Sequence, residues 1–245
     1  MERVFLSDIE LYYSENVKEI SDTIAIEGEE ANHIINVMRH KIDDEIYVTT
    51  GIGRIYRTQI ISIAKKKVDC KIFESYRYTN IFENIYFCLP RLKSADRFEF
   101  ALEKCIELGI TNFIVFESER CIAKGEKIDR WNKIAISAMK QSLRSFKSKI
   151  NYSKSITDVF SKEGRHIVFD QNSEVQFIDF LRNDKLISES KGKENINFYF
   201  GPEGGLTENE LSLFSQINKF RLTNNRLRSE TAIITAASII SSIYS

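Results

Sequence analysis

The spacing of apolar residues along this chain of 245 changes character near residue 80. Before that point the apolar runs are short and separated by turn-forming residues. Val4-Phe5-Leu6, Glu45 to Thr49, Ile55 to Ile63 and Val68 to Phe73 read as strands, broken at Asp43-Asp44 and Gly51-Ile52-Gly53. One helix is predicted over Glu29 to Arg39, where Ala31, Ile34, Ile35 and Met38 recur at helical spacing. Short strands this close together predict a small barrel. The polar patch Tyr76 to Asn80 reads as a link to a second domain.

Beyond residue 80, strand-like and helix-like periods alternate. Strands are predicted at Asn84 to Leu89, Asn112 to Phe116, His166 to Asp170, Ile196 to Phe200 and Phe220 to Leu222. Helices are predicted at Ser94 to Leu108, stopped by Gly109, at Lys127 to Ser145, near Ile156 to Phe160 and near Val175 to Leu181. Another begins at Thr207, with Glu210 completing a capping box, and a terminal helix covers Glu230 to Tyr244. This alternation predicts an α/β domain with a largely parallel sheet covered on both faces. The charged stretch Glu189 to Glu194 reads as a loop. The expected division is therefore 1–75 for the barrel and 81–245 for the α/β domain.

Composition narrows the function classes. Basic and acidic residues balance at 35 each, which argues against a sequence-blind nucleic-acid coat. The balance is uneven, however: from Arg130 to Thr157 there are seven basic residues and no acid. That run is either a solvated helix face or a footprint for phosphates. No apolar run suits a signal peptide or a membrane span, and the scattered Cys70, Cys88, Cys105 and Cys121 read as reduced core residues. A cytosolic protein is expected. With three histidines and no CxxC, no metal site is expected.

The chemistry concentrates near the C-terminus. The strand ending at Phe200 breaks into Gly201-Pro202-Glu203-Gly204-Gly205, which holds three of the ten glycines and one of the two prolines. Carboxyl ends of strands are where α/β sheets bind ligands. The junction lacks the lysine of a Walker loop and the spacing of GxGxxG, and Glu203 would repel a polyphosphate. Backbone groups here suit a neutral purine and ribose hydroxyls, and a ligand-free strand-to-helix turn is the bland alternative. The later run Asn225-Arg226-Leu227-Arg228-Ser229-Glu230-Thr231-Ala232 offers Ser229 as a helix N-cap and Glu230 to the helix dipole. Arg226 and Arg228 precede that same helix start against the dipole's preference, as arginines that contact an anion do.

Gly201 to Thr207 followed by Leu227 to Ala232 resembles the ribosomal RNA small-subunit methyltransferase E family, of the SPOUT class. Asp96-Arg97 with Glu107-Leu108-Gly109, Ser118-Glu119-Arg120-Cys121, Gln141 to Arg144, and His33 to Arg39 with the Asp43-Asp44-Glu45 turn agree, so the likeness spans nearly the whole chain. Thr223 departs from the family's usual glycine, and Asn225-Arg226 from its commoner Arg-Ile. The resemblance implies a PUA-like RNA-binding β-barrel, then a SPOUT domain whose C-terminal portion is tied in a trefoil knot. It also implies a homodimer that transfers a methyl group from S-adenosylmethionine to N3 of one uridine in 16S rRNA.

On this sequence the resemblance implies cofactor contacts from Phe169, Gly201, Glu203, Gly204, Leu222, Asn225, Leu227 and Thr231. Glu203 is alternatively a residue that orders its loop. Glu230 is the candidate to take the N3 proton and Arg228 to stabilise charge on the pyrimidine oxygens or hold a phosphate. Arg39, Arg91, Lys93, Arg97, Arg120 and Arg144 are candidates for RNA contact. The competing readings are a non-catalytic RNA-binding or ribosome assembly factor, and a dinucleotide-dependent oxidoreductase that lacks its phosphate fingerprint.

Overall fold

Strict alternation in Thr23-Ile24-Ala25-Ile26-Glu27 buries Ile24 and Ile26 and leaves their neighbours outside the core, which is how a half-buried strand is specified. The computed structural model describes residues 6–18, 22–183, 194–215 and 218–244. Most of the expected strand at Val4–Leu6 and of the charged loop from Glu189 lies outside these residues. By its contacts the chain divides into two units, Met1–Asn80 with Ile136–Lys147, and Ile81–Ala135 with Ser148–Ser245.

The first unit holds β1 (Leu11–Tyr13), β2 (Asn16–Lys18), β3 (Thr23–Glu27), β4 (Glu45–Thr49), β5 (Arg54–Ala64) and β6 (Lys67–Arg77). They form one sheet in the order β1-β4-β5-β6-β3-β2, antiparallel except for the β1–β4 pair. The two edge strands are separated along the chain only by Ser14 and Glu15. The sheet must therefore curl until its edges approach. Ser14 joins both sides: its N–H donates to the Thr49 carbonyl at 3.0 Å and its hydroxyl to the Ala25 carbonyl at 2.6 Å. Helix α1 (Gly28–Asn32) continues as a π-helical turn over His33–Val37, burying Ala31 and Ile34 as their spacing predicts.

Residues 136–147 join this unit through side chains that the strand pattern does not reveal. Lys140 Nζ grips the Glu30 carboxylate at 2.7 and 2.8 Å, and Lys147 Nζ reaches Glu15 at 2.7 Å. Gly51 and Gly53 do more than turn the chain. A Cβ on Gly51 would stand 2.8 Å from the Lys147 Cβ, and one on Gly53 2.5 Å from the Phe146 ring.

In the second unit the chain runs β7 (Ile85–Pro90), α2 (Ala95–Glu107), β8 (Asn112–Phe116), α3 (Ile128–Gln141), β9 (Lys149–Ser153), α4 (Ile156–Phe160), β10 (Arg165–Phe169), α5 (Phe177–Asn183), β11 (Ile196–Tyr199), α6 (Glu208–Ser212), β12 (Lys219–Phe220) and α7 (Ser229–Tyr244). All six strands are parallel, in the order β12-β10-β11-β7-β8-β9. Every residue of β8 and of β11 is buried, as expected for strands covered on both faces. The α/β class and its parallel sheet follow from the alternating periods. Strand β9 does not, because it is an edge strand in which only Ile150 is buried and its sequence reads as polar. Helix α3 also stops short of Ser145. The Ser142 hydroxyl donates back to the Ala138 carbonyl at 2.6 Å, and Leu143 turns left-handed at φ 53°.

The four cysteines are buried and free, and burial pushes the Cys88 and Cys105 thiols up, which keeps them as inert core groups. No helix among the described residues is long and apolar enough to cross a membrane. None of their His, Cys, Asp and Glu side chains gather in threes that could hold a metal.

Candidate active site

A parallel sheet sends every strand's carboxyl end to the same edge. Here the chain steps outward from β7 to β8 and β9, then continues on the other side with β10, β11 and β12. Loops leaving the adjacent strands β7 and β11 therefore diverge, which opens a crevice at that edge. Of the residues singled out by sequence, Arg91 and Lys93 follow β7, Phe169 ends β10, Gly201 to Gly204 follow β11, and Leu222 to Arg228 follow β12. Glu230 and Thr231 open α7, Arg97 is on α2, Arg120 follows β8, and Arg39 and Arg144 belong to the first unit.

The glycine junction after β11 is a closed turn. Gly205 N–H donates to the Pro202 carbonyl at 2.8 Å, and Gly205 adopts φ +72°, a conformation that favours glycine. Gly201 is confined differently: a Cβ there would lie 3.2 Å from the Leu206 nitrogen and 3.3 Å from the Gly205 Cα. Three distant residues then pin the turn. Ser229 donates its hydroxyl to the Gly201 carbonyl at 2.5 Å. Arg120 Nη1 donates to the Gly204 carbonyl at 2.9 Å and more weakly to the Leu206 carbonyl at 3.4 Å. Glu203 accepts the Lys93 backbone N–H at 3.0 Å.

Behind the turn, Thr207 and Glu210 form the expected capping box of α6. Glu210 is almost fully buried, and its other oxygen accepts the Glu119 N–H at 3.0 Å, holding the segment that carries Arg120. Buried carboxylates persist only when hydrogen-bonded in this way.

These contacts bear on several expectations from the sequence. Arg91 is 4 % exposed; its guanidinium lies over Phe98 and Trp131, at 5.4 and 5.2 Å from the ring centroids, and its Nε donates to the Gly125 carbonyl at 3.0 Å. It is a core residue that cannot reach RNA. Arg120 is exposed and hydrogen-bonds the glycine turn, and the Glu203 bond to the Lys93 N–H fits its alternative as a residue that orders its loop. Phe169 is half-buried; its ring stacks on Phe198 at 5.9 Å and packs against Phe200 at 5.0 Å and Phe177 at 4.9 Å. Ser229 is the first residue of α7 and holds Gly201 instead of capping the helix.

Within the basic run, Arg130 pairs with Glu99, Lys140 with Glu30 and Lys147 with Glu15. Those three are thus paired with acids, which weakens the phosphate-footprint reading. Arg39, left-handed at φ 61°, and Arg144 are exposed residues of the first unit.

Among the remaining candidates, Arg97 and Glu230 are in contact. Arg228 is exposed, one residue before the start of α7. Glu230 is mostly buried; one carboxylate oxygen faces Arg97 Nε at 3.6 Å, and the other is buried without a hydrogen-bond partner. Leu222 is buried, Leu227 half-buried, and Asn225 and Lys93 are exposed. Thr231 and Glu230 line an open groove with Phe100, Ile234 and Ile239.

Comparison with known proteins identifies the family. Residues 82–241 match the RNA methyltransferase domain, and residues 26–73 the RNA methyltransferase PUA domain. The chain belongs to the RNA methyltransferase family. Among its relatives is the ribosomal RNA small subunit methyltransferase E of Bacillus subtilis, 28 % identical over 235 residues that cover 91 % of each chain. The enzyme of that name from Rickettsia conorii is 26 % identical and aligns over 92 % of each. The fold is shared with a crystal structure of ribosomal RNA small subunit methyltransferase E from Neisseria gonorrhoeae bound to S-adenosyl methionine. That structure has a TM-score of 0.78 at 23 % identity, covering 96 % of this chain and 98 % of the other. An N-terminal PUA domain and an α/β methyltransferase domain are thus the two parts of this family member.

Sequence reasoning undervalued Glu210 and misassigned Ser229. The Thr207–Glu210 spacing did flag Glu210, but its partner Glu119 lies 91 residues away and left no local signal.

Proposed function

We propose that this RNA methyltransferase uses S-adenosylmethionine to methylate N3 of one uridine in the 16S rRNA of the small ribosomal subunit. The observation that carries the reading is the pinned glycine turn at the carboxyl edge, bonded directly to the helix start that presents Arg228 and Glu230. Names of the relatives supply the class of substrate and donor.

The residues present fit that donor. The absence of side chains at Gly201 and Gly204 lets the turn pack against Leu206 and the Arg120 side chain, so it presents backbone to a neutral purine, and Glu203 discourages a phosphate chain. In this reading Gly201, Gly204, Leu222 and Leu227 hold the adenosine, Asn225 and Thr231 flank it, and Phe169 supports the pocket. When bound, the donor supplies an electrophilic methyl group on a sulfonium. Everything else falls to the protein.

Uridine N3 becomes a nucleophile as its proton leaves, and the new N–C bond forms as the S–C bond breaks with its electron pair passing to sulfur. Glu230, whose carboxylate faces Arg97, is the acceptor for that proton. Charge spreading onto O2 and O4 of the pyrimidine is met by Arg228, which fixes the ring's orientation or its phosphate. Lys93 and Arg97 at this edge, and Arg39 and Arg144 in the first unit, are the proposed RNA contacts.

The same reading assigns residues 1–75 to an RNA-binding PUA-like barrel and 81–245 to a SPOUT domain whose C-terminal loops form a trefoil knot. It places the protein in the cytoplasm as a homodimer, with the open apolar groove along α7 available to a second copy. The test is direct. The protein should bind S-adenosylmethionine calorimetrically, and mass spectrometry of treated small-subunit rRNA should find one extra methyl group on a single uridine. Donor binding without any methylated uridine would overturn the substrate assignment, and absence of donor binding would overturn the whole reading.

A further inference from the structure

The loop after β12 carries no regular structure from Leu222 to Arg228, and Thr223 to Arg226 project from the core. A loop this exposed would lose conformational freedom on gripping a ligand, which weakens binding. The structure shows it already held, from outside, by the loop after β10. Gln176 Nε2 donates to the Asn224 side-chain oxygen at 2.8 Å, and Arg221 Nε approaches that same oxygen at 3.4 Å. Arg221 Nη1 reaches across to the carbonyls of Ser173, at 2.9 Å, and Glu174.

Backbone bonds run alongside. Arg221 N–H donates to the Val175 carbonyl and Phe177 N–H to the Arg221 carbonyl, both at 2.9 Å. The Thr223 hydroxyl closes the inner side by donating to the Asn225 carbonyl at 2.8 Å.

We propose that Gln176, Arg221 and Asn224 are positioning residues, a clasp that makes the loops after β10 and β12 one preformed body for the methyl donor. None of the three needs to touch the donor. They act by holding the backbone between Leu222 and Arg228 in place before anything binds. The proposal rests on the donor reading above, and it assigns the preorganisation to side chains outside the glycine turn.

The test uses the full-length protein, S-adenosylmethionine calorimetry and amide hydrogen exchange. Asn224→Ala and Gln176→Ala should each speed exchange over residues 222–228 and raise the donor Kd about tenfold, with kcat at saturating donor within about twofold. Both side chains act through one oxygen, so the double variant should be little worse than either single one. Asn224→Asp keeps an acceptor facing Gln176 and Arg221 and should restore wild-type affinity, which general destabilisation would not predict. Variants that bind the donor as tightly as a binding-competent wild type would overturn the clasp alone. A wild type that gives no binding heat would instead overturn the donor reading, and the clasp's role with it.

Discussion

Two loops leave the same edge of the parallel sheet and are built in opposite ways. After β11, the turn from Gly201 to Gly205 has small residues and carbonyls committed to Ser229 and Arg120, with Glu203 tied to Lys93. After β12, the loop ends in arginines: Arg226 and Arg228 are exposed, and no ion pair among the described residues engages either guanidinium. The first loop is tied by hydrogen bonds to residues far along the chain. The second ends in long cations left in solvent, free to meet charge that arrives with a substrate. In the proposed reading both loops hold the donor and only the second carries the arginines that meet the substrate, the two segments being joined by the bond from Ser229 to Gly201.

The largest expected effect separates these roles. Arg228→Ala should lower single-turnover methyl transfer about 10²- to 10³-fold while leaving donor affinity within a few-fold. Ordinary turnover on ribosomal substrate would remove Arg228 from the chemistry. Gly201→Val should do the reverse and abolish the heat of donor binding, because its Cβ would press on backbone atoms of Leu206 and Gly205. Retained binding there would place the adenosine elsewhere. Gly204→Val should cost less, since the nearest atoms, 3.4 Å away, belong to the adjustable Arg120 side chain.

Arg120→Ala sharpens the division further. Loss of its carbonyl bonds should weaken donor binding about five- to tenfold, the scale of a charge-assisted hydrogen bond at a partly solvated site. An unchanged donor Kd with a raised KM for RNA would instead return Arg120 to the residues that meet the substrate.

The smallest effect is a control away from both loops. On β10, His166 Nδ1 accepts the Tyr199 hydroxyl at 2.8 Å while Nε2 donates to the Lys162 carbonyl at 3.0 Å, an arrangement that uses the neutral ring. Burial holds its pKa below the ordinary value, against the opposing pull of the Lys162 carbonyl. The unfolded chain therefore binds a proton more readily than the folded one. Stability from this residue is complete above the unfolded value, about 6.5, and declines as pH falls through it toward the lower folded value. The melting temperature should drop between pH 7.5 and about pH 5, and His166→Gln should flatten that slope. An identical slope in the variant would assign it to other groups.

Legibility in the sequence followed the range of the physical cause. Strand β8, helix α2 with its Gly109 stop, and the Thr207–Glu210 capping box rest on contacts a few residues apart, and all were readable. Strands β1, β2, β3 and β9 were not: the first two are three residues long, β3 buries only Ile24 and Ile26, and β9 lies at a sheet edge with a polar sequence. At the site, the glycines and the arginine run stood out by composition. Arg91 misled because a guanidinium in the core and one on RNA carry the same letter, and only Phe98 and Trp131 around it tell them apart.

By itself the chain's order of residues determined the period of each element, its stops and the unusual backbone demanded at Gly205. Tertiary structure alone decided which side chains grip that turn: Arg120 lies 84 residues from Gly204, and Lys93 lies 110 from Glu203. Local geometry is set by a few neighbouring dihedrals and repeats wherever the pattern repeats. Partnerships across such distances exist only once the parallel sheet has brought its loop-bearing ends to one edge.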